Sequence, residues 1–204
     1  MVPKIKICGI TNLEDIEIVN KYNVDFAGFV LFFPKSKRNL ELQQAKEIKG
    51  YLNQTTKTVA VTVSPSREQI EQIQQAGFDY IQVHGEWKDE TMKHCQLPIF
   101  QAFHISKHSM VCKEVQGNNI VGYVLDGEKP GNGQVFDWEW MKSFNRAGKL
   151  LMLAGGLCAE NVVQGIKKLN PDIVDVSSGV EKERGLGKAK EKVETFVNMV
   201  RSVG

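Results

Sequence analysis

The sequence is poor in the residues that mark secreted, membrane-spanning and metal-binding chains. It holds four cysteines in 204 residues, Cys8, Cys95, Cys112 and Cys158. They are scattered with no Cys-x-x-Cys pair, which excludes a zinc ribbon or a thioredoxin-type site and fits a reducing compartment. The longest apolar run, residues 26–33, is far too short to cross a bilayer. The opening Met-Val-Pro-Lys-Ile-Lys lacks the apolar stretch of a signal peptide, so a cytoplasmic location is expected. An excess of one charge is missing too: 26 Lys and Arg against 24 Asp and Glu leave a formal net charge of +2. No global field draws such a chain onto nucleic acid or anionic lipid, and any anion must be caught locally. One helical metal spacing exists, His104, His108 and Cys112, each four residues from the next. His104, however, ends an apolar run that reads as a strand and leaves the helical face, so no metal site is expected there.

What is present is the balance of an ordinary globular chain, 42% hydrophobic and 25% charged, at a length that suits one domain over residues 1–204. Short runs rich in Val, Ile and Phe alternate with amphipathic stretches along the whole chain, the pattern of repeated βα units. Strands are predicted at 4–8, 25–31, 57–63, 79–83, 98–103, 120–125, 149–154 and 172–177. Eight is the number that closes a (β/α)8 TIM barrel, an α/β fold. Helix starts follow at Thr11-Asn12-Leu13-Glu14, Ser64-Pro65-Ser66-Arg67-Glu68 and Asp137-Trp138-Glu139, whereas 106–116 has a poorly defined face. A doubly wound open sheet shows the same alternation, so residue chemistry at the strand ends has to decide. The segment Gly131-Asn132-Gly133 lacks a third glycine at the dinucleotide-binding spacing and does not directly follow its strand, which argues against that alternative.

Parity within strands is more telling. In Lys4-Ile5-Lys6-Ile7-Cys8 the isoleucines share one face and Lys6 and Cys8 the other. A barrel places the isoleucines under the helices and points Lys6 and Cys8 inward, with Cys8 at the carboxyl end where barrel enzymes keep their chemistry. The same parity turns Asp175 and Ser177 inward. The first and eighth strands become neighbours on closure, so Lys6 and Asp175 are expected to pair, each being costly to bury alone. The nearby ammonium is also expected to lower the Cys8 pKa. Polar and glycine residues follow the strand ends at Arg38, His84-Gly85, Asp126-Gly127, Gly155-Gly156 and Ser178-Gly179, all on one mouth of a barrel. Each alone is an ordinary turn or cap. Together they mark a site: glycine loops for a phosphate, Arg38 for a carboxylate or phosphate, and Cys8, Asp126 and His84 as candidate acids and bases.

With these residues in view, the chain resembles the phosphoribosylanthranilate isomerase family. The resemblance runs end to end through Lys6-Ile7-Cys8-Gly9-Ile10-Thr11-Asn12, Pro34-Lys35-Ser36-Lys37-Arg38, Gln82-Val83-His84-Gly85, Gly133-Gln134-Val135-Phe136-Asp137-Trp138, Ala154-Gly155-Gly156-Leu157 and Asp175-Val176-Ser177-Ser178-Gly179-Val180-Glu181. It implies an isomerase of tryptophan biosynthesis that works without metal or cofactor on one small phosphorylated substrate. Cys8 matches the family's general base and Asp126 its general acid. Arg38 matches the arginine facing the anthranilate carboxylate, and His84, Gly155, Gly156, Ser178 and Gly179 fall among the substrate contacts, supported by Lys6, Gln82 and Asp175. The stretch 126–136 is shorter than the family usual, and Gly187-Lys188-Ala189 replaces a Gly-x-Lys-Asp pattern. The rival readings are another sugar-phosphate isomerase barrel, or a non-catalytic phosphate-binding barrel that serves as an assembly subunit.

Overall fold

A computed structural model describes residues 1–87, 89–105, 119–127, 135–141 and 144–204. Its centre is a closed sheet of eight parallel strands: β1 Lys4–Cys8, β2 Phe26–Leu31, β3 Lys57–Val63, β4 Tyr80–His84, β5 Ile99–Ile105, β6 Ile120–Gly127, β7 Leu150–Leu153 and β8 Ile173–Val176. Each strand pairs with the next in order, and β1 pairs with both β2 and β8, with Lys6 opposite Asp175 in register. That double pairing of β1 closes the ring and rules out the open doubly wound sheet. A two-residue strand, Asn39–Leu40, adds itself to the carboxyl end of β2.

Helices α1 Leu13–Lys21, α2 Leu42–Lys49, α3 Arg67–Gln75, α4 Asp89–His94, α5 Val162–Leu169 and α6 Lys190–Arg201 cover the outside. Their starts obey local chemistry. Asn12 caps α1 by accepting from the Asp15 N–H at 2.9 Å. Ser66 and Gln69 form a reciprocal capping box on α3. Asp137-Trp138-Glu139 opens a 3-10 turn, Trp138–Met141, in place of an α-helix. The weak helix at 106–116 and most of the short loop 126–136 lie outside the described residues. None of the described helices is long and apolar enough to cross a membrane.

Strand parity divides the apolar residues into two cores. Ile5, Ile7, Val174 and Val176 pack outward with the helices, while Phe26, Val59, Val61, Phe100, Val124 and Met152 fill the barrel. Inside, the Phe26, Tyr80 and Phe100 rings meet at centroid separations of 5.2 to 6.1 Å, plugging the amino end. The carboxyl end is left to polar side chains.

Candidate active site

Lys6 is completely buried, and its Nζ donates to Asp175 Oδ2 at 2.7 Å. The expected pair is therefore present. Strand β2 makes room for it with a glycine: a Cβ on Gly28 would lie 3.0 Å from Cys8 Sγ and 3.2 Å from Lys6 Cε. Cys8 ends β1 directly above the pair, and Ser177 Oγ donates to its carbonyl at 2.9 Å, tying β1 to the loop after β8.

The expected lowering of the Cys8 pKa does not hold. Burial pushes the thiol up, and this outweighs the pull of Lys6 and Lys188, with the Asp175 carboxylate adding to the rise. Proximity of one cation was the wrong criterion, because Lys6 is already neutralised by its partner and desolvation acts on the thiolate in full.

Asp126 lies near the end of β6, buried, with Oδ1 accepting from the Gly127 N–H at 2.7 Å. Burial and the neighbouring Asp175 raise its pKa to about 7, against the opposing pulls of the Gly127 N–H and Lys6. A carboxyl group so placed carries its proton into the neutral range, as a general acid must. Gly155, at φ +79°, allows this: a Cβ there would collide with the Gly127 nitrogen and sit 2.9 Å from Asp126 Oδ1.

His84 ends β4, where one ring nitrogen lies 2.9 Å from Gln82 Nε2 and the other 2.9 Å from His104 Nε2. Burial, then His104 and Lys6, hold its pKa down at about 3. His84 is a neutral hydrogen-bonding imidazole at neutral pH and a poor rival to Asp126 as acid. Its partner His104, considered above only as a metal ligand, is instead an exposed residue of the mouth; His108 and Cys112 lie outside the described residues.

Arg38 reaches the cavity from the loop after β2, but not as a free loop arginine: its side chain is 13% exposed, and its Nε is held by Glu181 Oε1. Glu181 also pairs with Lys37 at 2.8 Å and with Lys188 at 3.5 Å. These cations overcome the cost of burial and hold its pKa down at about 2. Lys188 is the residue that sequence reasoning missed. It is completely buried, with Nζ 3.3 Å from the Ser177 carbonyl and its backbone N–H donating to Asp15 Oδ1 at 2.6 Å. Nothing in the pattern of 182–189 separates it from a solvated loop lysine.

The glycine loops after β7 and β8 interlock. Gly179 presses on the Leu157 carbonyl where any Cβ would collide, and Asn161 braces the first loop by accepting from the Cys158 N–H and donating to the Gly156 carbonyl, both at 2.9 Å. Gly155, Gly156 and Ser178 line the same cavity, of about 580 Å3, as Cys8, Asp126, Arg38, His84, Gln82 and Asp175. Of the expected site residues, Lys6 lies beneath this cavity and Gly179 behind its wall. Its floor thus holds a thiol and a carboxyl group of raised pKa, and its rim holds cations and bare backbone.

Residues 5–199 match the family model described as N-(5'phosphoribosyl)anthranilate (PRA) isomerase. The chain is 40% identical over 184 residues to an N-(5'-phosphoribosyl)anthranilate isomerase of Petrotoga mobilis, with 87% of each chain covered. It is 39% identical over 206 residues to one of Clostridium kluyveri, with 98% of each covered. Among solved structures, the phosphoribosyl anthranilate isomerase of Thermus thermophilus superposes with a TM-score of 0.85 at 27% identity, covering 98% of this chain and all of that one. A phosphoribosyl anthranilate isomerase in complex with reduced 1-(o-carboxyphenylamino)-1-deoxyribulose 5-phosphate superposes with a TM-score of 0.82 at 30% identity, covering 98% and 99%.

Proposed function

The chain belongs to the N-(5'-phosphoribosyl)anthranilate isomerase family, and on that premise we propose that Cys8 is the base and Asp126 the acid of its reaction. The activity is the isomerisation of N-(5'-phosphoribosyl)anthranilate to 1-(o-carboxyphenylamino)-1-deoxyribulose 5-phosphate, a step of tryptophan biosynthesis. One observation supports the assignment above the rest: a carboxyl group lifted to a pKa of about 7 shares one cavity with a thiol set beside two buried lysines.

The carboxyl proton of Asp126 passes to the ribose ring oxygen as the bond from that oxygen to C1' breaks, leaving a protonated Schiff base between C1' and the anthranilate nitrogen. The iminium acidifies the proton on C2', and the Cys8 thiolate removes it, giving an enolamine. Transfer of the enol proton from O2' to C1' yields the aminoketose. At the end Asp126 has lost one proton and Cys8 has gained one, so exchange between them or with water resets the site. C1' is reduced as C2' is oxidised within the one substrate, so the chemistry requires neither an external electron carrier nor a metal.

The two pKa directions set the working form. Thiolate with carboxylic acid is a proton tautomer of thiol with carboxylate, and both hold one proton between the pair. The competent share is therefore constant between the two titrations and falls away on either side.

Arg38 takes the anthranilate carboxylate, because its planar guanidinium matches a carboxylate with two parallel donors. Gly155, Gly156 and Ser178 receive the phosphate on backbone N–H groups, with Gly179 holding the two loops together. Neutral His84, its two ring nitrogens engaged by Gln82 and His104, meets the substrate from the β4 side of the cavity. The deciding experiment mixes the protein with freshly made phosphoribosylanthranilate in the presence of a chelator. Substrate fluorescence should disappear; fluorescence that persists with folded protein would remove this reading.

A further inference from the structure

Arg38 does not point freely into the cavity; it is steered. Its stem lies across Gly9 so closely that a Cβ there would collide with Arg38 Cδ. Its Nε is taken by Glu181 Oε1, while Nη1 and Nη2 have no partner among the described residues. A guanidinium can grip a carboxylate side-on through Nε and one terminal nitrogen, or end-on through both terminal nitrogens. With Nε occupied, only the end-on mode remains.

Glu181 is itself anchored. Its N–H donates to the Ser178 carbonyl at 3.1 Å, and its backbone bridges antiparallel to Lys188. Its second oxygen takes Lys37 at 2.8 Å, and Lys188 Nζ approaches the first at 3.5 Å from within the protein. The side chain is only 12% exposed. Such a carboxylate has one orientation, so the arginine it holds has one as well. Three cations, Lys37, Arg38 and Lys188, share this single anion, leaving the cluster positive towards an incoming carboxylate.

The geometry points to Glu181 as a positioning residue that aims Arg38 end-on into the cavity and thereby sets the selectivity for a substrate bearing a carboxylate. This rests on the reading of Arg38 given above. The opposite role is also chemically defined: a carboxylate beside Arg38 can act as a built-in competitor that the substrate must displace. The two roles predict opposite signs, since removing a competitor tightens binding and removing a support weakens it.

The experiment compares two substrates, phosphoribosylanthranilate and its carboxyl-free analogue N-(5'-phosphoribosyl)aniline, in the wild type, Glu181→Gln and Glu181→Asp. Glu181→Gln should raise KM for the carboxylate substrate by about tenfold, the worth of one charge-assisted hydrogen bond, and move KM for the aniline analogue by less than about twofold. Glu181→Asp, which keeps the charge on a shorter stem, should fall between. On an Arg38→Ala background the Glu181→Gln effect should vanish. A lower KM for phosphoribosylanthranilate in Glu181→Gln would establish the competitor and overturn the proposal, as would an equal rise for both substrates. If Glu181→Gln does not fold, the same comparison is read from Glu181→Asp. Wild-type protein inactive on phosphoribosylanthranilate would instead remove the functional reading and leave the Arg38–Glu181 contact as structure alone.

Discussion

Lys6 on β1 and Asp175 on β8 meet across the seam that closes the barrel, Nζ to Oδ2 at 2.7 Å, with side chains 0% and 6% exposed. The pair lies directly under the cavity, so it serves the fold and the site together. Asp175 supports the ammonium and at the same time helps to raise Asp126, while Lys6 opposes the rise at Cys8. Asp175 Oδ1 has no protein partner among the described residues, which leaves one carboxylate oxygen of the pair unsatisfied beside the cavity.

Lys6→Met should cost about 3 to 5 kcal/mol, because it strands a buried carboxylate. Lys6→Met with Asp175→Leu should recover most of that loss and none of the activity. Denaturant melts of the three proteins provide the check, and a double variant no more stable than the single one would dismiss the pair as the cause.

Cys8→Ala should stay folded, losing about 1 kcal/mol with the small side chain, and still bind a product analogue. Turnover should drop by about 10²- to 10⁴-fold with the loss of the base. In the wild type, kcat/KM against pH should be bell-shaped, with an acid limb near 7 from Asp126 and an alkaline limb above the ordinary thiol range from Cys8. A profile that is flat through neutral pH would separate these two groups from the chemistry.

Asp126→Asn should abolish turnover and also reveal a linkage. The folded pKa of about 7 lies above the ordinary value of 3.8, so the folded state binds the proton more tightly. That contribution to stability is complete below about pH 4 and is lost as pH rises through 7. By pH 8 the ionised group burdens the fold by about 4 kcal/mol, which the neutral amide avoids. Thermal melts should therefore show Asp126→Asn gaining on the wild type between pH 5 and 8. His84, held down at about 3 from 6.5, has the reverse sign: its contribution is complete above 6.5 and is lost as pH falls towards 3. His84→Asn should accordingly gain on the wild type as pH falls. If His84→Asn harms turnover more than Asp126→Asn, the acid has been assigned to the wrong residue.

Arg38→Ala should raise KM for phosphoribosylanthranilate by about 10- to 100-fold, the loss of a charge-assisted carboxylate contact worth about 1.5 to 3 kcal/mol. Because Glu181 keeps Lys37 and Lys188, stability should fall by only about 1 kcal/mol. Unchanged KM would return Arg38 to a purely structural ion pair with Glu181.

Much of this protein is decided locally. Period-two alternation assigned Ile5, Ile7, Val174 and Val176 to the helix-covered face and Lys6, Cys8 and Asp175 to the interior, because successive strand residues must face opposite sides. Closure then made Lys6 and Asp175 neighbours, and their pairing followed from the cost of a lone buried charge. Strand ends were legible only in part: 4–8 and 57–63 hold as read, whereas β5 and β6 run two residues past their apolar runs, to Ile105 and Gly127, since ladder hydrogen bonds continue whatever the side chain. What the tertiary structure alone decided is electrostatic. The rise of Cys8, the pKa of about 7 at Asp126, the burial of Lys188 and the grip of Glu181 on Arg38 all depend on how much water is excluded and which charges approach from distant loops. Residue order sets which groups enter the barrel, whereas desolvation and long-range charge, properties of the closed barrel alone, determine how each one holds its proton.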